Sequence, residues 1–155
     1  MPLEDVRAIY KKEYWDRVCG DDLPSGIDLC VFDWAVNAGT RRASKALQQA
    51  VGASDDGIIG PQTVSQVCAL NNAERLVELI AIKREEFYRG LKTFDTFGRG
   101  WLRLNEETRD KALNLATNGV RDMEHYAHLM GELAALTHVN QELSDMLERQ
   151  ETLDA

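Results

Sequence analysis

Apolar positions fall on helical spacings along most of the chain. Val6, Ile9, Tyr10, Tyr14 and Val18 recur every three or four residues and predict a helix over residues 4–18. Residues 27–38 are largely apolar, and Ile27, Val31, Trp34 and Ala35 form a stripe that predicts a buried helix ending at Gly39. Val31, Phe32 and Val36 would also suit a strand there. Ala43, Ala46, Leu47 and Ala50 predict an amphipathic helix over residues 41–51. Another helix runs from Thr63 to about Leu70. The next reaches about Leu91 and buries Leu76, Leu79, Ile80, Phe87 and the stem of Lys83. Asn71 followed by Glu74 has the spacing of a capping box for it.

Between these stripes lie two loops, residues 20–26 and 52–62. In the second, Asp56-Gly57 is a turn signal because glycine supplies a positive φ, and Gly60-Pro61 resets the chain with a proline suited to a first helical turn. Ile58 is placed to plug the gap beneath that loop. Residues 93–100, with Phe94, Phe97 and two glycines, read as an aromatic loop, and Trp101 opens a last helical region. Period-two runs and strand–helix alternation are missing from the pattern, which predicts an all-α fold.

Beyond residue 120 the pattern changes. Tyr126, Leu129, Leu133, Leu136, Asn140, Leu143 and Leu147 step by three and four in alternation, an a/d heptad with Asn140 at an a position. This long C-terminal amphipathic helix is expected either to fold back on its own domain or to pair two chains as a homodimer through residues 126–147. Residues 121–155 hold eight acids and two bases, so they carry −6 of the net −8, and residues 1–120 carry −2. A near-neutral body of residues 1–120 is thus expected to precede an acidic helical tail of residues 121–155.

With 155 residues the chain suits one globular domain. An acidic chain lacks the basic footprint of a nucleic-acid partner, and no apolar run is long enough to span a membrane. Three cysteines and three histidines without ligand spacing predict no metal and no cofactor. The start, Met1-Pro2-Leu3-Glu4-Asp5, has neither a basic n-region nor an apolar h-region, so a cytoplasmic location is expected until release to the cell wall.

Leu47-Gln48-Gln49-Ala50-Val51-Gly52, followed by Asp56-Gly57-Ile58-Ile59-Gly60-Pro61-Gln62-Thr63, resembles the core of peptidoglycan-binding modules. Around it occur, in order, Tyr14-Trp15-Asp16, Leu23-Pro24-Ser25-Gly26, Phe32-Asp33-Trp34-Ala35-Val36-Asn37-Ala38-Gly39, Phe87-Tyr88 and Gly100-Trp101. Over residues 7–117 the series resembles glycoside hydrolase family 108, the phage-type N-acetylmuramidases and secretion activators, including their C-terminal peptidoglycan domain. The resemblance implies a lysozyme-like helical domain, peptidoglycan glycan strands as partner and a role in phage or endolysin-type lysis. Two departures stand out. The family's catalytic glutamate lies in an N-terminal Glu-Gly-Gly-Tyr motif, and this sequence contains no Glu-Gly-Gly. Where the family tends to carry arginine three residues after the Gly-Trp tryptophan, this chain has Leu104, with Arg103 beside it. The family's acid is therefore not carried over.

Glycosidic cleavage needs an acid on one side of the bond and a carboxylate or activated water on the other. Asp33, Glu13 and Asp16 are the candidates that could substitute. Glu13 also fits a solvated ion pair, and Asp33, between Phe32 and Trp34, fits equally a cleft residue or a buried helix-capping carboxylate. Asn37, one turn after Asp33, could bond an N-acetyl group or simply end its helix. Trp15, Trp34 and Trp101 could stack on sugars or serve the core. With Asp56, Gly57 and Thr63 of the loop, Trp15, Asp33, Asn37 and Trp101 make the candidate substrate-binding set.

Overall fold

The computed structural model describes residues 3–118; the acidic tail, its heptad and the 126–147 pairing all lie outside the described residues. The described chain is all-α. Its helices are α1 (Leu3–Tyr10), α2 (Ile27–Ala38), α3 (Thr40–Val51), α4 (Pro61–Leu70), α5 (Ala73–Arg89) and α6 (Phe94–Asn118).

The 4–18 stripe is helical but not uniform. After Tyr10 the chain widens into a π-helical turn, Lys11–Trp15, closed by the Asp16 N–H donating to the Lys11 carbonyl at 2.8 Å. The extra residue in that turn rotates Trp15 into the core, where its indole meets Phe32 edge-on. A short 3₁₀ turn, Gly20–Asp22, leads on to α2.

α2 is the axis of the fold. Every residue from 27 to 36 is buried, which explains its near-continuous apolar sequence: a helix enclosed on all sides shows no polar stripe. It packs on α3, α5 and α6, while α5 and α6 lie along each other. α3 ends at Gly52 in the left-handed region, and the Ala53 N–H returns to the Gln48 carbonyl at 2.8 Å. Pro61 takes the first position of α4, as its missing N–H permits.

Three expectations are corrected. The cap of α5 is Asn72, whose side chain accepts from the Arg75 N–H at 3.1 Å; Asn71 instead terminates α4 in the left-handed conformation. Residues 94–100 are the first two turns of α6 and not a loop. Gly98 there marks a close approach: a Cβ would lie 2.4 Å from a Phe94 ring carbon one turn earlier. Ile58 does not plug the 52–60 loop. It is 70% exposed, and Ile59, 4% exposed, fills the gap instead.

Candidate functional site

The 52–60 loop is organised by one side chain. Gln48, on the last turns of α3, is 1% exposed. Its Oε1 accepts the Gly57 N–H at 2.9 Å. Its Nε2 lies 2.9 Å from Asp56 Oδ1, 2.9 Å from the Ile58 carbonyl and 3.2 Å from Thr63 Oγ1, three acceptors sharing two hydrogens. Asp56 Oδ1 also accepts the Ile58 N–H at 2.9 Å, an Asx turn. That backbone N–H, and then Gln48, hold the Asp56 carboxyl below its ordinary range; Gln49 does the same for Asp55 through a 3.0 Å bond. Gly57 has φ +81, which a side chain resists. Asp56, Gly57 and Thr63 are thus brought together, and Gln48, present in the motif, is the residue that joins them.

On one flank of this loop is a groove of about 490 Å³ between the Cys19 turn and α4. Ile59, Pro61 and Val64 form its apolar wall, and Asp22 and Ser65 its polar edge. The Cys19 thiol donates to the Ile59 carbonyl at 3.2 Å and so ties the turn to the loop; burial raises its pKa.

Asp33 lies elsewhere. It is 1% exposed and neither lines a cleft nor caps a helix. Its Oδ2 receives Arg84 Nη1 of α5 at 2.6 Å and lies 3.0 Å from the Thr108 hydroxyl of α6. Arg84 also donates through Nε to the Tyr88 hydroxyl at 3.0 Å. Burial alone would lower the Arg84 pKa, but Tyr88 and Asp33 more than offset this, so the net direction is upward and the guanidinium stays charged. Asp33 is therefore the carboxylate of a buried ion pair that joins α2, α5 and α6. Its partners were missed in the sequence. The usable signal was the i, i+4 series Ile80, Arg84, Tyr88, which puts an arginine on the buried stripe of α5.

The remaining candidates disperse. Asn37 is half-buried and donates to the Asp33 carbonyl of its own helix at 2.8 Å. Trp15 is buried, with Nε1 donating to Asp21 at 3.0 Å. Trp101 is buried between Tyr88, stacked at 5.3 Å, and Phe97 at 5.7 Å; Trp34 is buried against Phe87. None of the three tryptophans presents an open face in this structure. Glu13 forms an i, i+4 pair with Arg17 at 2.7 Å on the surface. Leu104, in the place of the family's arginine, is a core residue. Among the described residues there is no cluster of metal-ligating side chains, and no helix is long and apolar enough to cross a membrane.

Comparisons with known proteins bear on the same segments. Residues 1–39 match the family described as Glycosyl hydrolase 108, and residues 42–106 match the Predicted Peptidoglycan domain. Comparison with curated proteins gives no match. Among solved structures, that of Brucella abortus SagA is similar, with a TM-score of 0.72 and 37% identity over 79% of this chain and 67% of that one. The Gln48-centred loop thus falls inside the peptidoglycan segment and Asp33 inside the hydrolase segment, and the chain belongs to the glycosyl hydrolase 108 family, with a peptidoglycan-related role in that muramidase lineage.

Proposed function

We propose that this chain binds the glycan strands of peptidoglycan and, by itself, does not cleave them, in phage-type cell-wall lysis or remodelling. The observation that carries the reading is the Gln48-braced loop beside its groove, within the segment that matches a peptidoglycan domain. An apolar wall of Ile59, Pro61 and Val64 with Asp22 and Ser65 at its edge suits a pyranose, whose apolar face packs on the wall while its hydroxyls reach the edge. Cleavage would require an acid that touches the glycosidic oxygen. Asp33 is sealed beneath Arg84, Glu13 is engaged with Arg17, and the sequence holds no Glu-Gly-Gly.

The test pairs sedimentation with insoluble peptidoglycan and release of reducing sugar. Co-sedimentation without release is expected, since a missing general acid lowers the rate by roughly 10²–10⁴-fold. Release at ordinary lysozyme-like rates would refute the inactive reading. The protein is expected in the cytoplasm until lysis gives it access to the wall. A second reading, assembly, is favoured by the heptad of Tyr126 to Leu147. Sedimentation equilibrium of the full chain and of a chain stopped after Arg121 tests it: dimerisation of the full chain alone supports pairing through the tail.

A further inference from the structure

Beside Gly57 of the loop, α3 carries a row of cations at or near the surface. Arg41 and Lys45 are one turn apart and share a face, with exposed Arg42 beside them. Gln49 continues the row, and Lys83 of α5 donates to its Oε1 at 3.3 Å. In a chain of net charge −8 this is a local reversal of sign.

The row is built into the fold. The stem of Arg41 lies on Gly57 so closely that a Cβ there would be 2.8 Å from Arg41 Cγ. The guanidinium of Arg42 sits 5.0 Å over the Phe87 ring. The adjacent aspartates are bonded to other groups: Asp55 accepts from Gln49, and Asp56 from Gln48 and the Ile58 N–H. Although both are near enough to feel the cations, Arg41 and Lys45 form no ion pair within 4 Å among the described residues. Nor does the row serve α3 itself. Arginines in a first turn meet the positive end of the helix dipole, which disfavours them. Arg41, held against Gly57, and Lys45 one turn on, both without an ion pair and beside the loop of a peptidoglycan domain, fit an anionic part of that polymer.

The glycan of intact peptidoglycan is uncharged, and its carboxylates sit on the stem peptides. We propose that the α3 row docks stem-peptide carboxylates, with Arg41 as the bidentate contact and Lys45 as a second positive charge. This rests on the peptidoglycan-binding reading above and adds which part of the polymer is recognised.

The test titrates the full chain with a soluble stem tetrapeptide bearing free carboxylates, with the same peptide amidated, and with chitotetraose, alongside sedimentation with intact peptidoglycan. The free peptide is expected to bind about tenfold more tightly than the amidated one, and less tightly as salt rises. The double variant R41Q/K45Q is expected to lose about that factor with an unchanged melting temperature. Equal affinity for both peptides, or an unaffected double variant, would overturn the proposal. Should the variant fold poorly, the two peptides compared on the unaltered chain still decide. Co-sedimentation with peptidoglycan together with binding of chitotetraose and neither peptide refutes the carboxylate site while the peptidoglycan reading stands. Failure to co-sediment at any salt refutes that reading and this proposal with it.

Discussion

Replacing Asp33 by asparagine separates a catalytic carboxylate from a structural one. In the fold, Asp33 Oδ2 holds the buried Arg84 guanidinium at 2.6 Å, and both side chains are about 2% exposed. The amide introduced by Asp33→Asn would keep an oxygen able to accept from Nη1 but would leave the guanidinium charge without a counter-charge. Arg84 Nη2 already has no hydrogen-bond partner among the described residues, so the cation has little reserve. Removing one member of a buried pair costs about 3–5 kcal/mol, and the retained acceptor puts Asp33→Asn near the lower end. For a domain whose whole stability is about 5–15 kcal/mol, this is a large share and corresponds to a fall in melting temperature of roughly 10 °C.

A companion variant removes the pair as a whole. Asp33→Leu with Arg84→Met removes both charges and their shared desolvation, and is expected to be within about 1 kcal/mol of the unaltered protein or more stable. Urea unfolding of the two single variants and the double gives the coupling directly, provided the m-value is unchanged. An Asp33→Asn chain that loses less than about 1 kcal/mol, or a double variant as unstable as the sum of the singles, would refute the ion-pair account. An Asp33→Asn chain that kept its stability but lost a measurable sugar-releasing activity would restore Asp33 as a relocated acid.

Gln48→Ala should cost about 2–4 kcal/mol, because it deletes four contacts of roughly 0.5–1.5 kcal/mol that share hydrogens, and partly exposed loop groups regain water. Amide exchange at Gly57 should rise and co-sedimentation with peptidoglycan should fall; an unchanged exchange rate would count against the brace. Gly57→Val places a β-branched residue at φ +81 and against Arg41, so thermal unfolding should report a loss of about 1–2 kcal/mol or more. Cys30, buried in α2, has its thiol pushed up by burial from 9.0 to about 12. The fold favours the neutral thiol, so this contribution is intact below pH 9 and is lost as pH rises toward 12. Iodoacetamide at pH 8 should alkylate exposed Cys68 and spare Cys30 in the native protein, read by mass spectrometry.

The parts of the fold legible in the sequence were those fixed by local chemistry. Gly39 and Gly52 end α2 and α3 where glycine punctuation placed the stops, and Pro61 opens α4 because a first turn needs no N–H from it. What local reading could not supply was the choice between two local options. Asn71 and Asn72 are both good cap residues; the left-handed turn at Asn71 ends α4 and leaves Asn72 to start α5. Gly98 and Gly100 look like loop punctuation, yet α6 runs through both, since Phe94 needs the space at Gly98 and Trp101, Leu104 and Thr108 are buried on the same helix. Tertiary burial outweighs the roughly 1 kcal/mol that each helical glycine costs.

The candidate site divides along the same line. Asp56, Gly57 and Thr63 could be grouped from sequence because the loop that joins them is short and its turn residues have fixed roles. Asp33 could not be placed, since its partners Arg84 and Thr108 lie 51 and 75 residues away, on helices whose register only packing decides. A carboxylate amid apolar residues demands a cation from some other buried stripe, because an isolated buried charge is too costly to keep. Arg84 on the Ile80–Tyr88 stripe meets that demand. The two unusual charges explain each other: Asp33 gives Arg84 its counter-charge, and both side chains are withdrawn from solvent. The proposed recognition is accordingly assigned to α3 and its loop, where Arg41 and Ile58 are exposed and Lys45 is partly so around the Gln48-braced turn.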